Sequence, residues 1–548
     1  MILFNMMKSF RKMVGKSFWR YLLRWTLLSI PTGIITGLSI VLLVVSTEYA
    51  WNVWYGKIPK WLIVFIPSMG GLIAGYIASK TMIGVVHGAE MIIDALHKYG
   101  GQVPFLTAPI GFLTSLATIG LGGSAGLEGP SLQIGGTIGS ALASKAKLST
   151  MDRRILMLSG AAAGISAAFR APLTGAIFAM EVPYKNDLEH EAAVPALTSS
   201  VTSYITFILI LGSKPLFKTS TVSFTYSDVP FFILQGLFSA AVSLTYVVIY
   251  NDIGDVFHRL RLPIAIKAGI GGLLVGLTGF VSPHVLGVGY PGIQHMLNRD
   301  FSLEYVVMLL VLKIIATSFT LGSGGNGGVF IPTVFIGAAT GAIFGMTVTP
   351  NKLGLFETLG MASVLAASSK VPIAAVAFVA ETTTPTYIIP AIICSTVSYL
   401  VSGGVSLYSH QQVVKPTLVD ATIGEIMEEK FISVNANSSL EDVAREVFRH
   451  HHKVFPVTIG DTLVGVISIS DIIKIPRENW KITPVSDVMT KGRILTATPD
   501  QSVSEIVATM GKRGIAMVPV VDSKKSARLI GVIYRYDILH AIEERRLE

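Results

Sequence analysis

The chain has 548 residues, of which 51% are hydrophobic and only 14% are charged, and its mean hydropathy is +0.61. Soluble domains carry about 25% charged residues, so this composition excludes a wholly soluble protein and indicates a polytopic membrane protein with a soluble part attached. The formal charge is +9, from 43 basic and 34 acidic residues, but the hydropathy argues against nucleic acid as a partner. The one cysteine, Cys394, excludes an intramolecular disulfide.

The N-terminal segment, residues 1–26, is rich in lysine and arginine. Because positively charged flanks stay on the cytoplasmic side of a membrane, this segment predicts a cytoplasmic N-terminus. The first long apolar run, 27–45, is followed by no clear small-residue cleavage site, so no cleaved signal peptide is expected.

Apolar segments that can enter a membrane follow one another up to about residue 410. Several are shorter than the roughly 20 residues that a full span needs, and many contain Gly, Pro, Ser or Thr. Tilted, partial and re-entrant helices fit this pattern better than straight spans. The polar stretch 214–229 is predicted to join two halves, at about 27–213 and 230–410. The predicted segments are 27–50, 61–80, 104–121, 155–181, 193–212, 230–250, 264–282, 305–321, 329–347, 355–381 and 387–404.

A glycine-rich stretch, 122–130, places the ionisable Glu128 in an apolar environment. Glycines allow a ligand to approach the backbone closely, and Pro130 suits the first turn of a helix. The stretch therefore predicts a loop that ends one helix and starts another, whose free amides attract anions. An acidic residue at membrane depth marks a functional site by default; the alternative is a glutamate that reaches an aqueous loop.

An internal repeat favours the functional interpretation of Glu128. When Pro130 is superimposed on Pro332, both prolines follow a glycine-rich run, and Ile-Gly follows each of them at the same distance. The stretch 172–181 likewise matches 372–381, since each runs from Pro to Glu with identical spacing. These pairs indicate a duplicated membrane unit, and helices broken at matching places in two halves point to a substrate site near the midplane.

The character of the sequence changes at about residue 411, where charge rises and short alternating apolar runs begin. Two similar units follow, at about 420–476 and 482–545, and each is predicted to contain a strand, a helix, two strands and a second helix. The domain 411–548 is therefore predicted to be a duplicated soluble α/β module. The helix and the two strands after it are predicted at 438–449, 454–458 and 463–467 in the first unit, and at 502–512, 517–521 and 529–533 in the second.

Four ordered motifs resemble those of the CLC chloride channel and transporter family. Residues 126–130, Gly-Leu-Glu-Gly-Pro, resemble the family's G-[KR]-E-G-P, and residues 328–332 resemble its G-x-F-x-P. The segment 406–409 resembles the one that holds the family's inner-gate tyrosine, and 160–172 resembles the helix pair that leads to its internal proton glutamate. The resemblance covers about residues 20–410, and the tail resembles a pair of CBS domains.

This resemblance implies an α-helical, inverted-repeat membrane fold with broken helices, followed by a cytoplasmic CBS pair. It implies a homodimer with one anion path per subunit, surrounded by lipid, with chloride as substrate and no required cofactor. Both termini would be cytoplasmic. The compact tail and short loops are typical of a prokaryotic member in the cell membrane.

The resemblance also implies roles for individual residues. Glu128 would be the external gating glutamate, whose carboxylate occupies an anion site and swings away on protonation or on arrival of an anion. The Tyr408 hydroxyl, at the inner gate, would join backbone amides as a donor to the anion. Such donors suit a partly dehydrated halide that must leave again. The implied anion-binding positions are Gly126, Gly129, Gly328, Val329, Phe330, Ile331, Tyr408 and His87.

Three departures from the family's pattern affect the anion path and the proton path. Leu127 replaces a basic residue, which weakens the attraction of anions at the outer mouth. The family's G-[SH]-G-x-P element aligns with 86–90, where the first Gly and the Pro are lost and His87 stands where many members have an anion-binding serine. Selectivity for chloride over nitrate is therefore an expectation only. Val182 falls on the glutamate that relays protons in many exchangers, and the adjacent Glu181 is interpreted as a hydrogen-bonding structural group.

Because valine cannot carry a proton, strict coupling would need another group or a water wire that ends at Glu128. Channel-like or weakly coupled conduction is therefore slightly favoured, and an H+/Cl− antiporter is the alternative. If a proton path exists, Val182→Glu is expected to add coupling.

Residues 465–471 resemble the CBS strand-to-helix turn that holds adenosine nucleotides, with Ser468 and Asp471 as ligands. In the second unit Tyr534 replaces the usual Ser or Thr, while Asp537 remains. At most one site for ATP, ADP or AMP is expected, and a purely structural dimerisation platform is the alternative. A nucleotide-sensing membrane protein without transport is a remote alternative. An enzyme is disfavoured, because the sequence shows no metal-binding motif and no nucleophile–base pairing.

Overall fold

The described chain divides into two compact units, Met1–Lys415 and Pro416–Glu548. Four predictions lie wholly or largely outside the described residues: the N-terminal segment 1–26, His87, Asp537 and the helix predicted at 502–512 in the second unit of the tail. The computed structural model describes residues 16–81, 88–219, 222–413, 422–450, 454–492, 494–501, 503, 506, 509–510, 515–523 and 527–534, with the backbone alone for 16–20 and 447–450.

In the described part of the first unit, the α-helices form two sets of eight with similar lengths in the same order. Each set begins with its longest helix and has short third and seventh helices. The first set is α1 (Lys16–Trp54), α2 (Ile66–Ser79), α3 (Gly88–His97), α4 (Thr107–Gly120), α5 (Glu128–Lys145), α6 (Thr150–Phe169), α7 (Pro172–Glu181) and α8 (Ala193–Leu211). The second set is α9 (Val229–Arg259), α10 (Ile264–Val281), α11 (Tyr290–Leu297), α12 (Leu303–Gly322), α13 (Phe330–Val348), α14 (Leu353–Ser369), α15 (Pro372–Thr382) and α16 (Ile388–Val401).

Glycine pairs hold the central helices of each set together. In the first set α5 packs on α6, and a Cβ on Gly135 would lie 2.0 Å from the carbonyl oxygen of Gly160. In the second set α13 packs on α14, and a Cβ on Gly337 would lie 2.5 Å from the carbonyl oxygen of Gly360. In both pairs the backbones approach too closely for any side chain, which is the packing that small residues permit inside membranes.

The expected mixture of full and partial membrane helices is present. Most of α5, α6, α13 and α14 is buried, whereas large apolar side chains of peripheral helices, such as Leu209 of α8 and Leu400 of α16, are exposed where lipid would surround them. Three shorter apolar helices are Thr107–Gly120, Pro372–Thr382 and Pro385–Val401. Among the described residues, seven helices are long and apolar enough to cross a membrane: Tyr21–Trp54, Lys60–Ser79, His190–Leu211, Tyr226–Arg259, Ile264–Val281, Leu303–Gly322 and Phe330–Val348.

Two of the predicted apolar segments, 155–181 and 355–381, are each divided into two helices. The first breaks at Arg170 and the second at Lys370, and both residues adopt the left-handed conformation, with φ of 56° and 57°. A proline at the first position of the next helix follows each break, where its missing N–H has no cost. The breaks lie at matching places in the two sets of helices.

The first half of the tail has the predicted order of elements. In it α17 (Ile423–Ile426), β1 (Val434–Asn435), α18 (Leu440–His450), β2 (Val454–Ile459), β3 (Thr462–Ser468) and α19 (Ile469–Ile473) follow one another. β2 pairs with β1 in parallel and with β3 antiparallel. In the second half, α20 (Val485–Val488) is followed by β4 (Met517–Val521), which pairs antiparallel with β5 (Leu529–Tyr534). A parallel bridge between Ala497 and Val520 stands where β1 pairs with β2 in the first half.

Candidate functional site

The glycine-rich loops of the two halves pair directly with each other. The Gly126 N–H donates to the Gly328 carbonyl and the Gly328 N–H donates to the Gly126 carbonyl, both at 2.8 Å. The amide of Ser124 bonds to Thr320 Oγ1 at 2.9 Å, and in the other half the equivalent amide of Asn326 bonds to Thr118 Oγ1. These reciprocal bonds relate the two loops by a local two-fold axis. They bring the first turns of α5 and α13 together.

Glu128 lies at this junction, and its carboxylate occupies the N-terminus of α13. The Phe330 N–H, the first of that helix, donates to Glu128 Oε1 at 2.5 Å. Glu128 is 1% exposed. The positive end of the helix dipole and its free amides make this position attractive to any anion, and here it is filled by the carboxylate.

The packing around Glu128 leaves no room for a side chain at Gly126 or Gly328. A Cβ on Gly328 would lie 2.2 Å from Glu128 Oε1, and one on Gly126 would lie 1.9 Å from Oε2. The Phe330 ring is held by the rings of Phe169, Phe178 and Phe378, with centroids 4.6, 5.1 and 5.0 Å away. This aromatic cluster fixes the first turn of α13, so the amide that Glu128 contacts is rigidly placed.

Glu128 and Tyr408, which sequence motifs assign to the same path, share a small cavity. Its volume is about 10 Å³, which is close to the least that can hold one water. Tyr408 is 5% exposed, and its own amide bonds to Ser406 Oγ at 3.1 Å. The cavity is lined by Ala89, Glu90, Glu128, Gly129, Tyr250, Leu321, Gly327, Gly328, Val329, Leu407 and Tyr408.

Four of the implied anion-binding positions, Gly129, Gly328, Val329 and Tyr408, therefore line the same cavity as Glu128. The Gly328 amide is already bonded to Gly126, so within the first turn it is the Phe330 amide that meets the carboxylate. Ile331 is buried in that turn. His87 lies outside the described residues.

A larger cavity, about 400 Å³, opens on the side of Leu127. Besides apolar groups it is lined by Glu48 and Arg170, which carry opposite charges, and by Tyr290. Nearby, Lys313 is fully buried in α12, and its Nζ donates to the carbonyls of Val285 and Gly287 at 3.0 and 3.3 Å. None of these groups was predicted from sequence, although a lysine inside an apolar segment is a signal for function.

Glu181 and Glu381, the acids that end α7 and α15, form a second reciprocal arrangement. Glu181 accepts hydrogen bonds from the amides of Ile373 and Ala374, at 3.0 and 2.8 Å. Glu381 accepts from the amides of Leu173 and Thr174, at 2.8 and 2.7 Å. Each carboxylate thus satisfies the free amides at the start of the other helix, which needs such acceptors when buried.

This geometry predicts a mainly structural effect of Glu181→Ala. Removing a buried carboxylate leaves two amides without acceptors, so the free energy of unfolding is expected to fall by about 3 kcal/mol, with Glu181→Gln less damaging. The melting temperature of the purified protein measures the loss of stability. Chloride efflux and proton movement in liposomes measure any effect on transport. A variant that melts like the wild type but loses proton movement would contradict the structural role.

Val182, which the sequence motifs align with the internal proton glutamate of many exchangers, caps α7 and is fully buried. Its carbonyl accepts a hydrogen bond from Gln411 Nε2 at 2.9 Å. The backbone of Val182 therefore contributes to the packing of the chain after Tyr408. Its side chain offers no group that can hold a proton.

In the tail, Ser468 and Asp471 form a capping box at the start of the five-residue α19. Asp471 Oδ2 accepts from the Ser468 hydroxyl at 2.6 Å, and Oδ1 pairs with Lys474 at 3.0 Å. Burial alone would raise the pKa of Asp471, but the hydrogen bonds from Ser468 and Lys474 outweigh it and hold the pKa below its ordinary value. Asp537 lies outside the described residues.

Comparison with known families agrees with these motifs. The family model described as voltage gated chloride channel matches residues 70–403, and the CBS domain model matches 423–478 and 485–544. The chain belongs to the CLC family. The predicted fold class, an inverted-repeat CLC fold followed by a CBS pair, is thereby confirmed, and membership places the protein among integral membrane proteins that transport anions rather than among enzymes.

Individual CLC relatives cover most of the chain. An uncharacterised protein of Methanocaldococcus jannaschii is 32% identical over 380 residues, which are 69% of this chain and 93% of that protein. An H+/Cl− exchange transporter of Salmonella paratyphi B is 26% identical over 415 residues, 70% of this chain and 87% of that protein. The crystal structure of a eukaryotic CLC transporter matches with a TM-score of 0.63 at 18% identity, covers 94% of this chain and 98% of that one, and shows a shared fold.

Proposed function

We propose that this CLC protein transports chloride through a site at the N-terminus of α13, and that Glu128 gates the site. The observation that carries the proposal is the hydrogen bond from the Phe330 amide to the buried Glu128 carboxylate. The carboxylate and a chloride ion compete for the same donors. When Glu128 takes up a proton or is displaced, the site opens.

The donors at this site suit an ion that must leave as well as enter. The Phe330 amide and the Tyr408 hydroxyl offer partial charges, which replace part of the hydration shell without binding a halide too tightly. The Nζ of the buried Lys313 is turned to the carbonyls of Val285 and Gly287. Lys313 therefore does not serve as a ligand in the path.

Two modes of transport are consistent with a gating carboxylate. Val182 favours channel-like or weakly coupled conduction, because its side chain cannot relay a proton. The exchange activity named for the Salmonella relative favours H+/Cl− antiport.

The decisive experiment is the reversal potential of the purified protein in a bilayer under combined chloride and pH gradients. A potential that shifts with the pH gradient identifies exchange, and one that follows the chloride Nernst potential alone identifies a channel. Absence of any chloride current or flux would overturn the proposed function itself.

For the tail we propose that an adenine nucleotide binds at the turn of Ser468 and Asp471. The CBS match supports this site. ATP, ADP or AMP is expected to raise the melting temperature of the full-length protein, and Asp471→Asn is expected to remove that shift. If no nucleotide changes the melting temperature of the wild type, the capping box is the whole role of these residues.

We also propose that the protein is a homodimer with one anion path per subunit, in a prokaryotic cell membrane, with both termini cytoplasmic. The family and the basic N-terminal segment support this assignment. Cross-linking in membranes and labelling of residues near each terminus from either side provide the tests.

A further inference from the structure

We infer that Glu90 is the inner proton-exchange partner of Glu128, in the role that Val182 cannot fill. The inference rests on the proposed gating by Glu128. Its basis is that Glu90 and Glu128, from α3 and α5, line one small cavity together with Tyr250 and Tyr408. Among the described residues that line this cavity, these two carry carboxylates, and neither Glu181 nor Val182 is among them.

Glu90 is held in place by the chain that follows the inner-gate tyrosine. Its Oε1 accepts from the Ser409 amide at 3.2 Å and from the Ser409 hydroxyl at 2.8 Å. The Glu90 carboxylate is thus fixed next to Tyr408, while α3 itself packs on α5 behind Glu128. Two independent attachments bring this carboxylate to the cavity, so its position is built by the fold.

The cavity that Glu90 and Glu128 line is suited to a proton and not to a halide. At about 10 Å³ it holds at most one water. Glu128 Oε2 is buried and has no hydrogen-bond partner in the described part of the chain, so this carboxylate keeps an oxygen that can take up a proton.

The proton step is a relay through that water. The protonated Glu128 carboxyl gives its proton to a lone pair of the water, and the water gives one of its own protons to the Glu90 carboxylate. The products are a Glu128 carboxylate, a Glu90 carboxylic acid and an unchanged water. The transfer regenerates the Glu128 carboxylate, which then fills the anion site, so proton transfer and anion passage occur at different times.

Titratable groups continue from Glu90 towards the surface. One turn along α3, Asp94 pairs with His410 at 3.0 Å and with Lys98 at 3.0 Å. The side chains of His410 and Lys98 are 37% and 48% exposed. A proton on Glu90 can therefore pass to this group of side chains, which is in contact with solvent. Among the described residues, the other titratable groups that line the cavity with Glu90 and Glu128 are the hydroxyls of Tyr250 and Tyr408.

The test is Glu90→Gln in proteoliposomes, with chloride efflux and the accompanying proton uptake recorded together. Proton uptake is expected to fall by about 100-fold, the weight of a positioned acid or base, while chloride efflux persists. The matched control is Glu304→Gln, which neutralises an exposed carboxylate at the start of α12. Glu90→Asp keeps a carboxylate, and it is expected to retain coupling at a lower rate.

Each outcome decides the inference. Loss of proton uptake in Glu90→Gln alone supports it. Proton uptake at the wild-type rate in Glu90→Gln overturns it, and so does a wild type that moves chloride without protons, while chloride transport gated by Glu128 stands. If the wild type moves no chloride, the proposed function fails first. If Glu90→Gln does not fold, Glu90→Asp decides: the same ratio of protons to chloride at a lower proton rate supports the inference, and an unchanged proton rate overturns it.

Discussion

Replacing Glu128 by Gln is expected to abolish proton movement while chloride continues to flow. A carboxamide has the same size as the carboxylate but carries no charge, so it does not titrate and competes with chloride more weakly for the Phe330 amide, which is 2.5 Å from Oε1 in the structure. The pH dependence of chloride efflux that a titrating gate creates should disappear with it. Chloride efflux and proton uptake in liposomes report both effects. They are measured from about pH 4.5, near the ordinary pKa of a carboxyl group, to about pH 7.5.

Glu128→Asp provides the control for this result. Its carboxylate still titrates but is one methylene shorter, so it does not reach the Phe330 amide from the same backbone position. We expect it to keep a pH-dependent efflux with weaker closure of the path. If Glu128→Gln left both chloride efflux and proton uptake at wild-type values, the gating role assigned to Glu128 would be wrong.

The match between the two glycine-rich loops, although not their direct contact, could be predicted from sequence because the signal is local. Superposition of Pro130 on Pro332 aligns the two runs of glycine, and the structure places Gly126 and Gly328 in mutual hydrogen bonds. Glycine and a following proline are each required by short-range backbone geometry. Such requirements leave a recognisable pattern.

The reciprocal hydrogen bonding of Glu181 to α15 and of Glu381 to α7 could be predicted only in part. The matched spacing from Pro172 to Glu181 and from Pro372 to Glu381 indicated a repeat, but not that each glutamate satisfies the first amides of the other helix. That contact follows from the inverted relation between the halves, which brings the end of one helix to the start of its counterpart. Spacing along one chain does not contain this relation.

The small cavity that Glu90 and Glu128 line, called the inner cavity below, could not be predicted, since it is made by distant parts of the chain. Glu90, Glu128, Tyr250 and Tyr408 come from α3, α5, α9 and the segment after α16. In the sequence, Glu90 stands out only because it replaces the proline of a family motif. Its proximity to Glu128 depends on packing between helices, which hydropathy and motif spacing do not specify.

Gly328→Ala is expected to expel Glu128 from the anion site without removing its carboxylate. The new Cβ would lie 2.2 Å from Glu128 Oε1 and 2.4 Å from its carboxyl carbon. The backbone of Gly328 cannot retreat, because both of its polar groups are bonded to Gly126. Overpacking of this kind costs about 1–3 kcal/mol, so the occupancy of the site by Glu128 should fall by about tenfold.

The functional consequence is an open anion path with poor coupling. Chloride efflux should equal or exceed that of the wild type, while the number of protons moved per chloride falls, because Glu128 no longer rests beside the inner cavity. Gly254→Ala is the matched control, since nothing lies within 4 Å of a Cβ added at that position in α9. Its efflux and proton movement should match the wild type. A Gly328→Ala protein that folds and couples normally would show that the carboxylate does not occupy the N-terminus of α13 during transport.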